Sequence, residues 1–466
     1  MTAKNNAFFV NSDRLWSDLE QLGQIGRDPR GRGVSRLAFT PEDVAGRRWL
    51  LARMREAGLK AWMDGVGNVF GRYEPTDVGE REVTDCGSAK VACRETKGRE
   101  RESAVNVDHS GTTPDSSVRD NPDAKYPAIM LGSHIDTVPE GGRFDGTVGV
   151  LGALECVRTL IESGAILKHS IEVAAFANEE GSRIGHGTLG SRSFVQGLLR
   201  EGSSQDEVAG LAQVLEQAAI SGDPRRLKDG ELACYLELHI EQGGVLDASG
   251  EDIGVVTGIV GIRSFTAKFL GMANHAGTTP MNMRKDALLA AARFILDVPE
   301  FVSELGSGSS VGTCGRISVL PGGQNVIPGE AEVSAEVRDV DNDVSERIIL
   351  ALREHAAAIA QERDVQVSVS PASAILAVPL DEQIQGDIEA AADELNLRSR
   401  RMPSGAAHDC MHLAGLVPSG MVFVPSRKGI SHSPDEWTER EQCAAGANVL
   451  LKTVLRLDAR LDVRLD

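Results

Sequence analysis

The amino-acid sequence predicts an α/β fold, in which a mostly parallel sheet forms one domain and a ferredoxin-like βαββαβ domain is inserted into it. Between residues 126 and 178, short apolar runs alternate with a segment of helical period, the pattern of a parallel sheet covered by helices. From about 257 to 370 the predicted order changes to β-α-β-β-α-β. The sheet domain would therefore comprise residues 1–256 and 371–466, and the inserted domain residues 257–370.

The first segment begins the sheet domain. Thr40 is placed to cap a helix that ends near Gly58, and strand patterns follow at 60–64 and 68–73. From 74 to 125 the chain is rich in Glu, Arg, Asp, Ser and Thr and poor in apolar residues. Such a segment buries too little apolar surface to offset the entropy of ordering, so we expect a disordered surface insertion.

Two buried strands are predicted next, at 126–134 and 171–178, with a helix at 147–162 between them. In a sheet of this kind, ligand sites gather at the carboxyl ends of the strands. His134 and Glu179 both stand at such ends. We therefore expect the functional site at this edge of the sheet.

The inserted domain has six predicted elements. They are strand 262–270, helix 283–298, strands 311–320 and 331–339, helix 344–361 and strand 365–370. We interpret this domain as a lid over the sheet domain. The sheet domain resumes with a helix at 381–395 and ends with a helix after Trp437.

The composition excludes several classes of partner. A formal net charge of −19 argues against nucleic acid and anionic membranes, because nonspecific phosphate binding needs clustered Lys and Arg. No run approaches the roughly 18 apolar residues of a membrane span, and the first residues lack the apolar core of a secretory signal. Seven scattered cysteines without a close pair favour a reducing cytoplasm over a disulfide framework or a thiolate zinc site. We expect a cytoplasmic protein with a small-molecule partner.

Two short motifs carry candidate metal chemistry. His134 and Asp136 are two residues apart, so the imidazole can bind a metal while the carboxylate orients it, and Asp145 follows between small neighbours. Glu179 and Glu180 are adjacent carboxylates that repel each other unless a cation lies between them. One of them can bind the cation while the other accepts a proton from water. A hydrogen-bonded His–Asp pair and a solvated acidic turn are the ordinary explanations of these motifs.

Two further histidines complete the set. His239 lies in an apolar strand, where a lone histidine is usually a satisfied core residue. His432 lies in a polar loop, where capping by Ser433 or Asp435 is the ordinary explanation. The conjunction is more specific than any part, because a two-metal hydrolytic site requires five ligands, one of them bridging. The candidate metal ligands are His134, Asp145, Glu180, His239 and His432.

Eight motifs in order then resemble a known family. They are GSHIDTVPEGGRFDG, FANEEG, ELHIEQG, GIVGIRSF, NHAGTTPMNMRKDAL, QNVIPGE, MPSGAAHDC and GISHSPDEWT, and they span most of residues 127–440. The chain resembles the hydantoinase/carbamoylase branch of the aminoacylase and carboxypeptidase group of co-catalytic zinc hydrolases. That branch includes N-carbamoyl-L-amino acid hydrolases, allantoate amidohydrolases and yeast-type β-ureidopropionase.

The resemblance implies a role for each site residue. His134 and His239 would hold one metal and Glu180 and His432 the other, with Asp145 bridging. Glu179 would be the general base. Asp136, which is expected to orient His134, and His275 are the other candidate catalytic residues. The substrate would be held by Gln242, His275, Asn325, Arg338 and Gly405. Zinc is the first expectation for the two ions, and manganese, cobalt or nickel would also suit these ligands.

Simple chemistry agrees with the substrate roles. Arg338 offers a bidentate fork for a carboxylate, although an ion pair with Asp339 or Asp341 is the ordinary alternative. His275 can donate to an oxyanion, although a solvated turn is the alternative for it. His408 and Asp409 are treated as a supporting polar pair. One departure from the family touches this region, since Ala407 stands where relatives usually have glycine.

The expected activity is hydrolysis of the ureido or amide C–N bond of an N-carbamoyl-L-amino acid by metal-bound hydroxide. Allantoate and N-carbamoyl-β-alanine are the alternative substrates, and an aminoacylase or dipeptidase is less expected. The resemblance also implies a homodimer through the lid, whose residues act within one subunit or across the dimer. Two other classes are considered: a dinucleotide-binding turn at GHGTLG, 185–190, and an inactive scaffold. The first is disfavoured because EEGSRI separates the glycines from their strand.

Overall fold

The structure is a computed structural model that describes residues 8–75, 126–184, 187–197 and 205–461. The predicted insertion at 74–125 lies outside these residues, apart from its first two. The α-helices of the described residues are α1 (Ser12–Leu22), α2 (Pro41–Glu56), α3 (Thr147–Ser163), α4 (Leu189–Gln196), α5 (Gln205–Gln217), α6 (Val245–Ser249), α7 (Ala287–Leu305), α8 (Asn342–Glu362), α9 (Glu382–Glu394), α10 (Cys410–Leu413) and α11 (Arg440–Arg460).

The strands of the described residues form two main sheets and one short ribbon. They are β1 (Lys60–Met63), β2 (Val69–Tyr73), β3 (Ala128–His134), β4 (Ile171–Phe176), β5 (Leu232–Ile240), β6 (Ile253–Ile259), β7 (Gly261–Leu270), β8 (Asn274–His275), β9 (Val311–Leu320), β10 (Val326–Ile327), β11 (Glu330–Asp339), β12 (Gln366–Val369), β13 (Ser373–Ile375), β14 (Val378–Pro379), β15 (Ser399–Ser404) and β16 (Ser419–Val424).

The larger sheet has the strand order β1-β2-β4-β3-β5-β16-β6-β14, and β15 also pairs with β6. Its central strands β4, β3, β5 and β16 are parallel, whereas β1, β2 and β14 add antiparallel pairs at the edges. The predicted mixed α/β fold with a mostly parallel centre is confirmed. In register, His134 on β3 lies opposite Phe176 on β4, and His239 on β5 opposite Phe423 on β16, so the carboxyl ends of these strands share one edge.

The central strands are buried because helices cover both faces of the sheet. β3 and β4 are buried at every residue, and α3 is buried over nearly its whole length between the sheet and α1 and α11. A second apolar cluster on the other face includes residues of α4 and α10. α3 begins two residues after Asp145, so the packing of this helix also fixes the loop that carries that aspartate.

The start of α2 agrees with the sequence prediction, whereas the start of α7 differs from it. Thr40 caps α2, where its hydroxyl accepts the N–H of Asp43 at 3.3 Å. The helix predicted from 283 instead begins at Ala287, because the Asp286 carboxylate accepts the N–H groups of the next turn and caps it there. The same helix continues past Pro299 to Leu305.

The smaller sheet has the order β12-β7-β11-β9, and β13 also pairs with β7. Helices α7 and α8 pack on it around an apolar core that includes Phe265, Phe294 and Ile348. β9 is an edge strand with exposed apolar side chains, among them Val311 and Leu320. Beside this sheet, β8 and β10 form the short antiparallel ribbon.

Two further observations concern the described residues alone. Their five cysteines are free thiols, and four of these are buried. The helices of these residues include no segment with both the length and the apolar character that crossing a bilayer demands.

Candidate metal centre

The predicted ligands come together at the carboxyl edge of the central strands. His134 is the last residue of β3, and His239 is the last but one of β5. Glu180 follows β4, whereas Asp145 precedes α3 and His432 follows β16 in a loop. Residues distant in the chain therefore meet because parallel strands deliver their ends to the same edge.

Asp145 lies between two groups of possible ligands, one at each carboxylate oxygen. Its Oδ1 is 3.4 Å from His134 Nε2 and 3.2 Å from His239 Nε2. Its Oδ2 is 3.2 Å from His432 Nε2, which in turn lies 3.4 Å from Glu180 Oε2. Within each group the ligand atoms lie within 4.8 Å of one another. This is the arrangement of a carboxylate shared by two cation sites.

Hydrogen bonds to main-chain carbonyls set the tautomer of the two buried histidines. His134 Nδ1 is 3.0 Å from the carbonyl oxygen of Asp136, and His239 Nδ1 is 2.9 Å from that of Ile240. A carbonyl can only accept, so each Nδ1 carries the proton and donates it. In the neutral rings both Nε2 atoms therefore present lone pairs toward Asp145 Oδ1. Three atoms that face one another with lone pairs and no proton between them repel each other, and they are suitable ligands for a cation.

Gly146 allows this close approach. Its φ of 63° lies in the left-handed region, and a Cβ at this position would overlap the ring of His134. A side chain here would therefore both strain the backbone and displace the imidazole.

The glutamate pair is held by Asp136 through hydrogen bonds that the sequence did not predict. Asp136 Oδ1 accepts the N–H of Glu179 and Oδ2 that of Glu180, each at 3.2 Å. The predicted bond from Asp136 Oδ1 to His134 Nδ1 is not formed, since these atoms are 3.9 Å apart and the main-chain oxygen takes the proton instead. Glu179 Oε2 then lies 3.7 Å from His134 Nε2, at the edge of the first group.

The charges of the site conflict in the absence of a cation. Burial raises the pKa of Glu179 well above its usual value, and burial with the charge of Asp145 raises the pKa of Glu180 to about 7. Burial also acts to raise the pKa of Asp145. Without a cation the pKa values of His134 and His239 are raised, and their protonated rings then donate hydrogen bonds that hold the pKa of Asp145 well below its usual value. Three buried carboxylates so close together are costly unless positive charge compensates them. The donor set thus fits two divalent cations.

Three polar residues around Asp145 complete its surroundings. Gln242 Nε2 donates to Asp145 Oδ2 at 2.8 Å, while Gln242 Oε1 is buried without a hydrogen-bond partner among the described residues. Ser431 Oγ lies 3.1 Å from Asp145 Oδ2. Glu436 accepts the main-chain N–H of Asp145 at 3.1 Å. Sequence analysis missed Ser431 and Glu436, although both lie in the GISHSPDEWT motif beside His432.

A second polar layer lies beneath His239. Glu237, two residues before it on β5, accepts hydrogen bonds from Ser133 Oγ at 2.8 Å and from the N–H of Cys410 at 2.9 Å. The ring of His408 packs edge-on against His239 with centroids 4.5 Å apart. Asp409 accepts from Ser191 Oγ at 2.5 Å, and burial raises its pKa to about 8. His408 and Asp409 therefore lie behind the ligands, as a supporting pair would.

Of the predicted substrate residues, Arg338 and Gly405 are in contact. Arg338 Nη1 donates to the carbonyl of Gly405 at 2.9 Å, and its Nε donates to Glu336 at 2.8 Å. The expected alternative partner Asp339 instead accepts the hydroxyl of Ser307 at 2.9 Å. Arg338 thus connects the smaller sheet to the loop after β15.

His275 and Asn325 lie together on the β8–β10 ribbon. The N–H of Ala276 donates to the carbonyl of Asn325 at 2.9 Å, and His275 is exposed. His275 Nδ1 accepts the N–H of Gly277 at 3.0 Å, which leaves Nε2 as the donor. Within the described part of the chain, no hydrogen bond or ion pair joins this pair to the metal ligands.

Residues 187–190, the described part of the glycine-rich segment, have a structural role. The N–H groups of Thr188 and Gly190 donate to the carbonyls of Glu179 and Ala177, at 2.8 Å each. These donors hold the loop of the glutamate pair and are not free for a pyrophosphate, as a dinucleotide-binding turn would need. Residues 185 and 186 lie outside the described residues.

Comparison with known proteins gives one family and many relatives. The family described as peptidase family M20/M25/M40 matches residues 130–456. An N-carbamoyl-L-amino acid amidohydrolase from Geobacillus stearothermophilus is 38% identical over 96% of this chain and 99% of the relative. An allantoate amidohydrolase from Bacillus subtilis is 31% identical over 94% of this chain and 96% of the relative.

A solved structure shares the fold over the whole length. A hydantoinase/carbamoylase family amidase from Burkholderia multivorans superposes with a TM-score of 0.79 at 34% identity. The match covers 96% of this chain and 98% of that one. The resemblance found in the sequence motifs is thereby confirmed.

Proposed function

Because the chain belongs to peptidase family M20/M25/M40, we propose that it is a metal-dependent amidohydrolase of N-carbamoyl-L-amino acids. One water would hydrolyse one ureido C–N bond, and the carbamate that remains would decompose by loss of carbon dioxide. The products would be ammonia, carbon dioxide and the free amino acid. The observation that carries the proposal is Asp145, whose two oxygens each face a separate set of ligands. The most similar relative described above, at 38% identity, supports the substrate class.

Two divalent cations would be held by His134, His239 and Asp145 on one side and by Asp145, Glu180 and His432 on the other. Zinc fits imidazole and carboxylate ligands best, and manganese, cobalt and nickel are compatible with them. When bound, the ions would lower the pKa of a water molecule and polarise the carbonyl of the substrate.

Glu179 is the general base in this proposal. Its carboxylate is buried next to the first group of ligands, 3.7 Å from His134, so it can take a proton from water there and pass it to the leaving nitrogen. Asp136 fixes the loop of Glu179 through the two main-chain hydrogen bonds and acts as a positioning residue.

Three residues would hold the substrate beside the metals. Arg338 would bind the substrate carboxylate, next to the Gly405 loop that it already contacts. Gln242 Oε1, buried without a partner among the described residues, would accept an N–H of the ureido group. A binding site of this kind favours a substrate with both a ureido group and a carboxylate.

The inserted domain would be a lid and a dimer interface. We assign the domains to residues 1–256, 257–370 and 371–466 and the protein to the cytoplasm. His275 and Asn325 are exposed on the inserted domain, and within the described residues no hydrogen bond or ion pair joins them to the metal ligands. We therefore propose that they complete the site of the second subunit. The unpaired edge of β9 and its exposed apolar side chains support a homodimer through this domain.

A substrate screen that measures ammonia release tests the proposal. The panel contains several N-carbamoyl-L-amino acids, allantoate, N-carbamoyl-β-alanine and N-acetyl-L-amino acids. We expect the first group to be hydrolysed fastest, activity to vanish after dialysis against a chelator, and zinc or manganese to restore it. If allantoate or N-carbamoyl-β-alanine is hydrolysed fastest, that compound is the substrate in place of an N-carbamoyl-L-amino acid. Preference for the acetylated compounds would indicate an aminoacylase.

A further inference from the structure

Glu436 lies where the loop of Asp145 meets the loop of His432. Its side chain is buried, with 4% exposed, in the turn before α11. Glu436 Oε1 accepts two main-chain N–H groups, that of Phe144 at 3.0 Å and that of Asp145 at 3.1 Å. One carboxylate oxygen therefore fixes the backbone on which the shared aspartate is carried.

The other oxygen of Glu436 contacts the loop that carries His432. Ser431 Oγ lies 2.9 Å from Glu436 Oε2 and 3.1 Å from Asp145 Oδ2. The hydroxyl has one proton, so it donates to one carboxylate at a time. Because Ser431 directly precedes His432, this contact joins the His432 loop to both acidic side chains.

Neighbouring residues are adapted to Glu436. A Cβ at Gly142 would overlap the carboxylate of Glu436, so only glycine leaves room for it there. Next to it, Trp437 packs edge-on against Phe144 with ring centroids 5.5 Å apart. The loop of Asp145 is thus pinned at its main chain and at a neighbouring side chain.

The first group of ligands does not depend on Glu436 in the same way. His134 and His239 lie on central strands, and carbonyls of their own segments orient their rings. His432 instead lies in a loop, with a φ of 54° and a half-exposed ring. The second group therefore needs an external constraint to hold its ligands in place.

We propose that Glu436 is a positioning residue that sets the affinity of the second metal site, formed by Asp145, Glu180 and His432. This inference rests on the proposed function, because it presumes that the site binds two cations. Glu436 touches neither His432 nor Glu180 and acts through the Asp145 backbone and Ser431. Residues that orient metal ligands in this way typically contribute about 10- to 100-fold to metal affinity.

Three variants separate positioning from general stability. Glu436→Ala removes both oxygens. Glu436→Gln keeps one oxygen to accept the N–H groups of Phe144 and Asp145 and removes the charge. Asp458→Ala is the matched control, since Asp458 is also a buried carboxylate that accepts main-chain N–H groups, here of Lys168 and His169, but it lies away from the metal ligands.

The test is calorimetric titration of the metal-free proteins with Zn²⁺ in the presence of a competing chelator. The wild type should bind two equivalents. In Glu436→Ala one equivalent should bind about 10- to 100-fold more weakly. The other should lose clearly less affinity, because of its ligands only Asp145 is held by Glu436. Glu436→Gln should recover most of the loss, and Asp458→Ala should lower only the melting temperature. If the alanine variant does not fold, Glu436→Asp, which is too short to reach both loops, takes its place.

Unchanged binding constants in the Glu436 variants, or an equal loss at both sites, would overturn the inference while leaving the proposed function intact. A wild-type protein that binds no zinc would overturn the proposed metal site itself. Absorption of the Co²⁺-loaded proteins gives a second readout, since displaced ligands at one site change the visible spectrum of that site.

Discussion

Arg338 Nη1 donates a hydrogen bond of 2.9 Å to the carbonyl of Gly405, although the two residues belong to segments of different sheets. Glu336 holds the same guanidinium through its Nε. Two of the five donors of Arg338 are thus used to fix its orientation, and the remaining ones are available for a ligand. The contact joins the smaller sheet to the loop after β15.

Replacing Arg338 should affect substrate binding more than turnover. Arg338→Ala removes the proposed bidentate partner of the substrate carboxylate, and charged hydrogen bonds of this kind contribute about 1.5–3 kcal/mol. We expect KM to rise about 10- to 100-fold in steady-state assays, with a smaller change in kcat. Arg338→Lys should recover little, because an ammonium group cannot form the fork. The control is Arg363→Ala, at the end of α8, and an unchanged KM in Arg338→Ala would contradict the assignment.

The two adjacent glutamates should give different phenotypes. Glu179→Gln removes the proton acceptor and should lower kcat by at least about 100-fold while both metals stay bound. Glu180→Gln removes a ligand and should lower the metal content as well. Activity assays with metal analysis of the same preparations distinguish the two. Loss of metal from Glu179→Gln, or full activity in it, would refute its role as the base.

Complementation tests whether His275 acts across a dimer. A heterodimer of one Glu179→Gln subunit and one His275→Ala subunit contains one site with both residues intact only if His275 serves its neighbour. We expect each variant alone to be nearly inactive and the purified heterodimer to have about half the wild-type turnover. An inactive heterodimer would mean that His275 acts within its own chain or in no site.

A buried ion pair far from the metals predicts how stability depends on pH. Glu172 on β4 contacts Arg72 and Arg225 at 2.8 Å each. Burial acts to raise the pKa of Glu172, but the two arginines lower it below its usual value. The stability from this pair is therefore present above the unfolded pKa of about 4.3 and is lost as pH falls through the folded pKa.

Glu172→Gln measures that contribution. The variant removes the buried charge shared by the two guanidinium groups, although Arg72 keeps its contact with Glu74 and Arg225 its contact with Glu231. We therefore expect a loss of about 1.5–3 kcal/mol in the free energy of unfolding at neutral pH. The loss should shrink as pH falls below about 4. Urea unfolding at several pH values gives the measurement, with exposed Glu300→Gln as the control. A constant difference at every pH would contradict the assigned pKa shift.

The convergence of His134 with the glutamate pair could be predicted from the sequence because strand ends are easy to locate. The apolar runs that become β3 and β4 end at His134 and just before the glutamate pair, and a parallel sheet brings such ends together. One edge of the same sheet, β1 and β2, was predicted, whereas the other edge, formed by β6, β14 and β15, was not. β15 has the sequence SRRMPS, whose two arginines and proline are more typical of a loop than of a strand.

The supporting contacts could not be predicted because they depend on backbone geometry. Asp136 was expected to orient His134 through its carboxylate, but the main-chain oxygen does so and the carboxylate holds the glutamate loop. Gln242 and His432 have φ values of 58° and 54°, which their residue types do not signal. The same holds for Glu436, whose partners are main-chain N–H groups distant in the sequence.

An anomalous difference map from crystals grown with zinc would test the central claim most directly. The account predicts two peaks flanking Asp145, one at its Oδ1 with His134 and His239, and the other at its Oδ2 with Glu180 and His432. A single peak, or two peaks that Asp145 does not bridge, would contradict it.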